Sequence, residues 1–211
     1  MEELNIDDYK NLLDEISLTS GEIENNLKDY KLVFFPYKNP IVERGMKIPL
    51  FLKSFYAFIK KYKRIPTQNE MFDGYISMNQ DYFNRNNFNE DIMHGIKARA
   101  FRAYPSLVRD IHFNLYVKEN LKEANVIFNP KLDYINGIDI LIDYNDIYYG
   151  VNLYTDTIEA RKYRKLKDDR KKSFSNVISV ELPVPFGSNQ IGRFFIYSDI
   201  EFNELKEKIG I

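Results

Sequence analysis

The chain has no cysteine, so disulfides, thiolate metal sites and cysteine nucleophiles are all excluded. It has only two histidines, His94 and His112, and no His-Glu-x-x-His helix joins them. No glycine-rich phosphate loop and no Gly-x-Ser-x-Gly elbow occurs. No apolar run approaches the roughly 20 residues that span a bilayer. The acidic N-terminus has no apolar core and does not read as a signal peptide, so no membrane association and a cytoplasmic location are expected.

What is present fits a soluble globular protein of 211 residues, long enough to bury a real core. Net charge is −1, which by itself says nothing about a polyanionic partner, but the distribution is uneven. Residues 1–29 carry nine acids against two lysines, whereas residues 159–172 carry eight bases against three acids. The second segment suits an anionic ligand, although a solvated helix face explains the same residues.

Helical periodicity dominates the first 120 or so residues. Leu4, Tyr9, Leu12, Leu13 and Ile16 recur at helical spacing, and Ser20-Gly21 breaks the pattern. Residues 33–40 read as extended, because prolines at 36 and 40 disfavour helix. A helix is expected from Ile48 to Tyr62, and Thr67 with Glu70 forms a capping box for the next one. From Asn89 the helical signal continues to about Glu123, with an interruption expected at Pro105 and a recap at Ser106. Arg109, His112, Tyr116 and Glu119 then share one helical line. That line is either a functional row or a hydrogen-bonded stripe tying the helix to the sheet.

Beyond Glu123 the period changes from 3.6 to 2. Strands are expected at 125–129, 137–143, 147–155, 176–182 and 192–198, a helix at 158–172 and a short helix from about 201. Asn145-Asp146 is turn chemistry for a tight hairpin. Ile138, Ile140 and Ile142 are expected on one strand face, with Asp139, Leu141 and Asp143 on the other. An acid set among isoleucines is costly to bury unless it binds something. The whole reads as an α+β chain, with a helical region over 1–103 and an α/β unit over 104–211.

The order α-β-β-β-α-β, with Asp139 in the second core strand, 137–143, resembles the PD-(D/E)xK nuclease superfamily over roughly residues 104–200. The resemblance implies a restriction-endonuclease-like core with a mixed sheet. It also implies a magnesium ion held by the strand-borne Asp and by a residue of the next strand, with a Lys two positions later. Here Asp139 stands thirteen residues before Asn152, Tyr154 occupies the lysine position, and Lys165 and Lys167 follow as displaced candidates. Glu119 or Asp143 would complete the ion site. Arg109, Arg161, Arg164 and Arg170 would contact phosphates.

The implied activity is a metal-dependent endonuclease acting on DNA, in restriction, mobile-element or phage-conflict systems. The alternative is a degenerate nuclease-fold subunit that binds nucleic acid or a protein partner, including an inhibitor of such systems. Asp139 also has a plainer reading, as a cap on a strand edge or a partner for an arginine. Lys60-Lys61-Tyr62-Lys63-Arg64 is a possible DNA-contacting edge of a helical module, though helix pairs of this kind are common. The acidic first 29 residues would imitate nucleic-acid charge or form an exposed amphipathic surface.

Overall fold

A helix of 31 residues, α6 (Glu90–Asn120), is the longest element of the chain in a computed structural model that describes residues 3–44, 46–157, 174–184 and 189–211. Against it pack α1 (Ser20–Lys28), the short α2 (Pro40–Arg44), α3 (Phe51–Tyr62) and α4 (Gln68–Met78). α5 (Gln80–Asn86) links α4 to α6. The sheet strands are β1 (Asn125–Ile127), β2 (Ile140–Tyr144), β3 (Ile147–Thr155) and β4 (Val177–Val184). Their spatial order is β1-β2-β3-β4, with β4 parallel to β3 and the other pairs antiparallel. A two-stranded ribbon, β5 (Gln190–Ile191) and β6 (Phe194–Phe195), precedes α7 (Asp199–Ile209). The fold is thus α+β, with an N-terminal helical region and a central mixed sheet.

α6 passes through Pro105 without a break, where an interruption was expected. Proline removes the amide that would bond the Phe101 carbonyl one turn earlier. That carbonyl is taken instead by the buried side chain of Gln68, whose Nε2 donates to Phe101 O at 3.2 Å and to Val33 O at 3.1 Å. Gln68 Oε1 accepts from Val33 N at 2.7 Å. One side-chain amide therefore supports the helix and pins the extended 33–40 segment.

The stretch around Leu4–Ile16 is not the expected helix. It makes two 3₁₀ turns, Ile6–Asp8 and Leu12–Asp14, each capped by the asparagine before it. Its polar groups serve the sheet instead. Asn11 donates to Val126 O and accepts from Phe128 N, and Leu12 N donates to Phe128 O. Covering the outer edge of β1 outweighs local helical propensity. The first α-helix starts at Ser20, where Thr19 and Glu22 form a capping box. The capping box at Thr67 and Glu70 stands as read from the sequence.

Asn145 and Asp146 both have positive φ, 53° and 61°, the geometry of a tight hairpin turn between β2 and β3. Two strand expectations are corrected. Residues 192–198 are not one strand, because Gly192 turns the chain at φ 58° against the end of α1, where a Cβ would lie 2.3 Å from Leu27 O. Ile138 does not share the face of Ile140 and Ile142. The chain leaves a π-helical turn, Leu132–Asn136, through left-handed Gly137, and Ile138 packs with Leu4, Ile127, Leu132 and Leu141.

Ile140, Ile142, Val151, Val180, Leu182 and Val184 form the inner face of the sheet and join the helices in one buried core that runs from Leu13 to Ile209. The boundary expected after residue 103 falls inside α6, so no linker separates the two regions. The helix expected at 158–172 lies outside the described residues, and with it Arg161, Arg164, Lys165, Lys167 and Arg170.

Candidate functional site

The outer face of the sheet has an apolar half and a polar half. Leu141 and Ile127 are covered by Leu4 and Leu132, with Tyr148, Val177 and the partly buried Ile6 and Tyr9 around them. At the other end of β3, Asn152 lies in register with Glu181 of β4, so both side chains point outward together. Asn152 Nδ2 donates to Glu181 Oε1 and to Ser179 Oγ, each at 3.1 Å. With Nδ2 committed to β4, the amide oxygen is turned away from that strand.

On the other side of Asn152 stands Asp139. The β2–β3 register ends at Ile140↔Val151, and Asp139 stands just before it, where Ile138 has already left the alternation of the strand. Asp139 N donates to Val151 O at 2.9 Å, and Asp139 Oδ2 accepts from Leu153 N at 2.6 Å. The carboxylate therefore closes the end of the ladder, as the plainer strand-edge reading has it. Asp139 thus flanks Asn152 along β3, and its charge bears on Tyr56, Arg109 and Tyr197 on the helical side, whereas Asn152 and Glu181 share the outward face.

Glu181 was missed in the sequence. The signal available was its alternation with Val180 and Leu182, which sets it on the polar face. That it neighbours Asn152 follows only from the parallel register. An oxygen set of two carboxylates around an amide is one that magnesium accepts, since that ion takes one or two carboxylates and keeps several waters. Among the described residues, no three His, Asp or Glu side chains gather closely enough to hold a metal. Asp143 lies four residues further along the strand, about 13 Å away at strand rise. Burial and the nearby Asp146 push its carboxyl up.

The line on α6 is spent on structure. Arg109 donates to Thr155 Oγ1 at 3.0 Å, pairs with Asp110 and lies over the Tyr197 ring at 5.4 Å. Burial alone would lower its pKa, but Asp110, Tyr197 and, less strongly, Asp139 raise it. His112 is buried, with Nε2 2.9 Å from Glu24 Oε1. Tyr116 bonds Asp199, and Glu119 accepts from both the amide and the hydroxyl of Ser20. Each of the four side chains ties α6 to β3, α1 or α7. Glu119 thus caps the N-terminus of α1, and its carboxylate is taken up by Ser20.

Tyr154, where the resemblance implies a lysine, is in register with Pro183 and shares the outward face with Asn152 and Glu181. No described helix is long and apolar enough to cross a membrane. Comparison with protein-family models, with curated proteins and with solved structures finds no match for this chain.

Proposed function

We propose that the chain is a metal-dependent nuclease-fold protein acting on DNA, with magnesium bound at Asp139 and Glu181 and supported by Asn152. The observation that carries the reading is that Asp139 bonds the backbone of β3 on both sides of Asn152, which itself bonds Glu181. The finer, restriction-endonuclease-like description of the fold is supported by a long helix leading into antiparallel β1, β2 and β3, with β4 parallel to β3. Such an ion supplies Lewis-acid polarisation of a phosphodiester oxygen and a bound water of lowered pKa. Asp139 would hold the ion through its carboxylate. Lys165 or Lys167 would supply the positive charge that Tyr154 does not, and Arg161, Arg164 and Arg170 would hold phosphates.

The test is cleavage of mixed DNA and RNA substrates with magnesium or manganese, run beside Asp139→Ala and Glu181→Gln. Removing a transition-state charge stabiliser costs about 10²–10³ in rate, so both variants should fall to background. Manganese binding, read by electron spin resonance, should weaken in the same two variants. Equal activity in all three proteins would overturn the assignment.

A second reading keeps the fold and drops the chemistry: a binding subunit, for DNA or for a protein partner within a larger complex. Tyr154 at the lysine position and the Asn152–Glu181 hydrogen bond favour it. It expects DNA or partner binding with no cleavage in either metal. A role in restriction, mobile-element or phage-conflict systems, on either side of the conflict, rests on the family resemblance alone.

A further inference from the structure

From Arg44 through Asn69 the chain carries seven lysines and arginines and not one acid. α3 concentrates that charge on its outer side. Its buried positions are Ser54, Phe55, Tyr56 and Ile59, so Lys53, Ala57, Lys60 and Lys61 form the exposed line at helical spacing. Ala57 is the small residue between the cations and leaves the line unobstructed.

Aromatic rings lie beside these charges. Lys61 Nζ is 4.9 Å from the centroid of Tyr62, which is 51% exposed. Lys53 Nζ is 5.5 Å from the centroid of Tyr134, 43% exposed on the π-helical turn four residues before Ile138. The line therefore runs toward the start of β2.

Between α3 and α4 lies a cleft of about 490 Å³, with Phe58, Tyr62 and Met78 among its lining residues. Gly74 lines the α4 side, and a Cβ there would meet nothing within 4 Å. Glycine inside a helix costs stability relative to alanine, and here no neighbour requires it. What its absence of side chain preserves is the open cleft. Glu70 at the rim is neutralised by Arg64, with Nη2 2.5 Å from Oε1, and its carboxyl is held down at about 2 chiefly by that hydrogen bond. Asp73 is the remaining acid of the cleft, a hydrogen-bond acceptor suited to an amino group.

We infer that α3 is a binding track for single-stranded nucleic acid, with backbone phosphates at Lys53 and Lys61 and an unstacked base in the Phe58–Tyr62 cleft. Polyanion charge complementarity selects the backbone, and the half-exposed ring of Tyr62 beside an open cleft selects the single strand. The inference rests on reading the chain as a nucleic-acid protein, but not on its cleaving anything.

The experiment is fluorescence anisotropy with a short labelled single-stranded DNA and its duplex, in chelator, across a salt series. Lys60, Lys63 and Arg64 are left intact, because they bond Glu15 or Glu70 within the fold. Lys53→Glu/Lys61→Glu should weaken single-strand binding at least about 25-fold near 0.1 M salt and cut the salt slope by about 1.4, at about 0.7 per phosphate. Gly74→Leu should weaken it about tenfold or more through the lost base site, with the salt slope unchanged and the melting temperature held or raised. Lys122→Glu/Lys206→Glu, matched in charge and lying outside α3, should bind as the unaltered chain does.

Affinity and slope equal to the unaltered chain in Lys53→Glu/Lys61→Glu, or tighter binding of duplex than of single strand, would overturn the track. If cleavage persists while the α3 variants bind normally, the track fails and the nuclease reading stands. If the α3 variants lose binding but no cleavage occurs in either metal, the track stands and the nuclease reading fails. No affinity for either DNA at low salt overturns the track outright.

Discussion

His112 is 1% exposed, and its Nδ1 has no hydrogen-bond partner among the described residues. Burial pulls its pKa below the ordinary value of 6.5, and the Glu24 carboxylate only partly opposes this. The sign of the linkage follows. Below about pH 6.5 the unfolded chain takes up the proton while the folded imidazole stays neutral, so stability falls as pH drops from 6.5 toward the depressed folded value. Above 6.5 this contribution is fully present. Denaturant midpoints measured at intervals from neutral to mildly acidic pH should decline in that window. His112→Gln, which keeps a donor for Glu24 but cannot titrate, should flatten that part of the decline. A profile that rises on acidification, or one unchanged by the substitution, would contradict the assignment. Glu15 and Glu70 act in a separate window. Their carboxyls are held at about 2, chiefly by hydrogen bonds from Lys10 and Arg64, so what they contribute is present above about 4.5 and lost as pH falls toward 2.

At the scale of elements, the continuity of α6 depends on a residue of another helix. Gln68→Leu strands the carbonyls of Val33 and Phe101 and the amide of Val33. Of these the Phe101 carbonyl is buried, and a buried group left unpaired costs about 1–3 kcal/mol, so a loss of about that size is expected in urea unfolding. Pro105→Ala restores the amide that can bond Phe101 O within the helix. In the Gln68→Leu background it should therefore recover about 1 kcal/mol more than in the unaltered chain. Strict additivity of the two substitutions would show that Gln68 does not serve the proline gap. The β5–β6 ribbon makes the same point from the other side, since its turn at Gly192 is set by the backbone of α1 against which it lies.

At the scale of the whole molecule, one core joins Leu13, Tyr75 and Tyr104 on the helical side to Ile140, Val180 and Ile209 on the sheet side. α6 belongs to both. Unfolding followed by far-ultraviolet and by tyrosine near-ultraviolet circular dichroism should therefore give coincident transitions. Two separated transitions, with one tracking the sheet, would mean that residues 1–103 and 104–211 fold independently after all. Polar chemistry sits outside this core, at the end of the sheet where Asn152 bonds Glu181 and along the outer side of α3. Both depend on the core for their geometry.

Local chemistry determined a large share of this. Alternation together with the Asn145-Asp146 pair located β3 at Ile147–Thr155, and the Thr67–Glu70 box located the start of α4. These are short-range steric and hydrogen-bond effects, readable within a few residues. Asn152 was legible for the same reason, as a polar residue in a strongly alternating strand. The tertiary structure decided the rest. Leu4–Ile16 gave up its helical period to cover β1, and Pro105 stayed helical because Gln68 lies against it. Ile138 changed sides because Gly137 reverses the chain before the strand begins. Arg109, His112, Tyr116 and Glu119 found partners up to 99 residues away. Glu181 came to Asn152 only through the β3–β4 register. Pairings between distant segments are settled by burying one shared core, and no window of sequence carries that energy on its own.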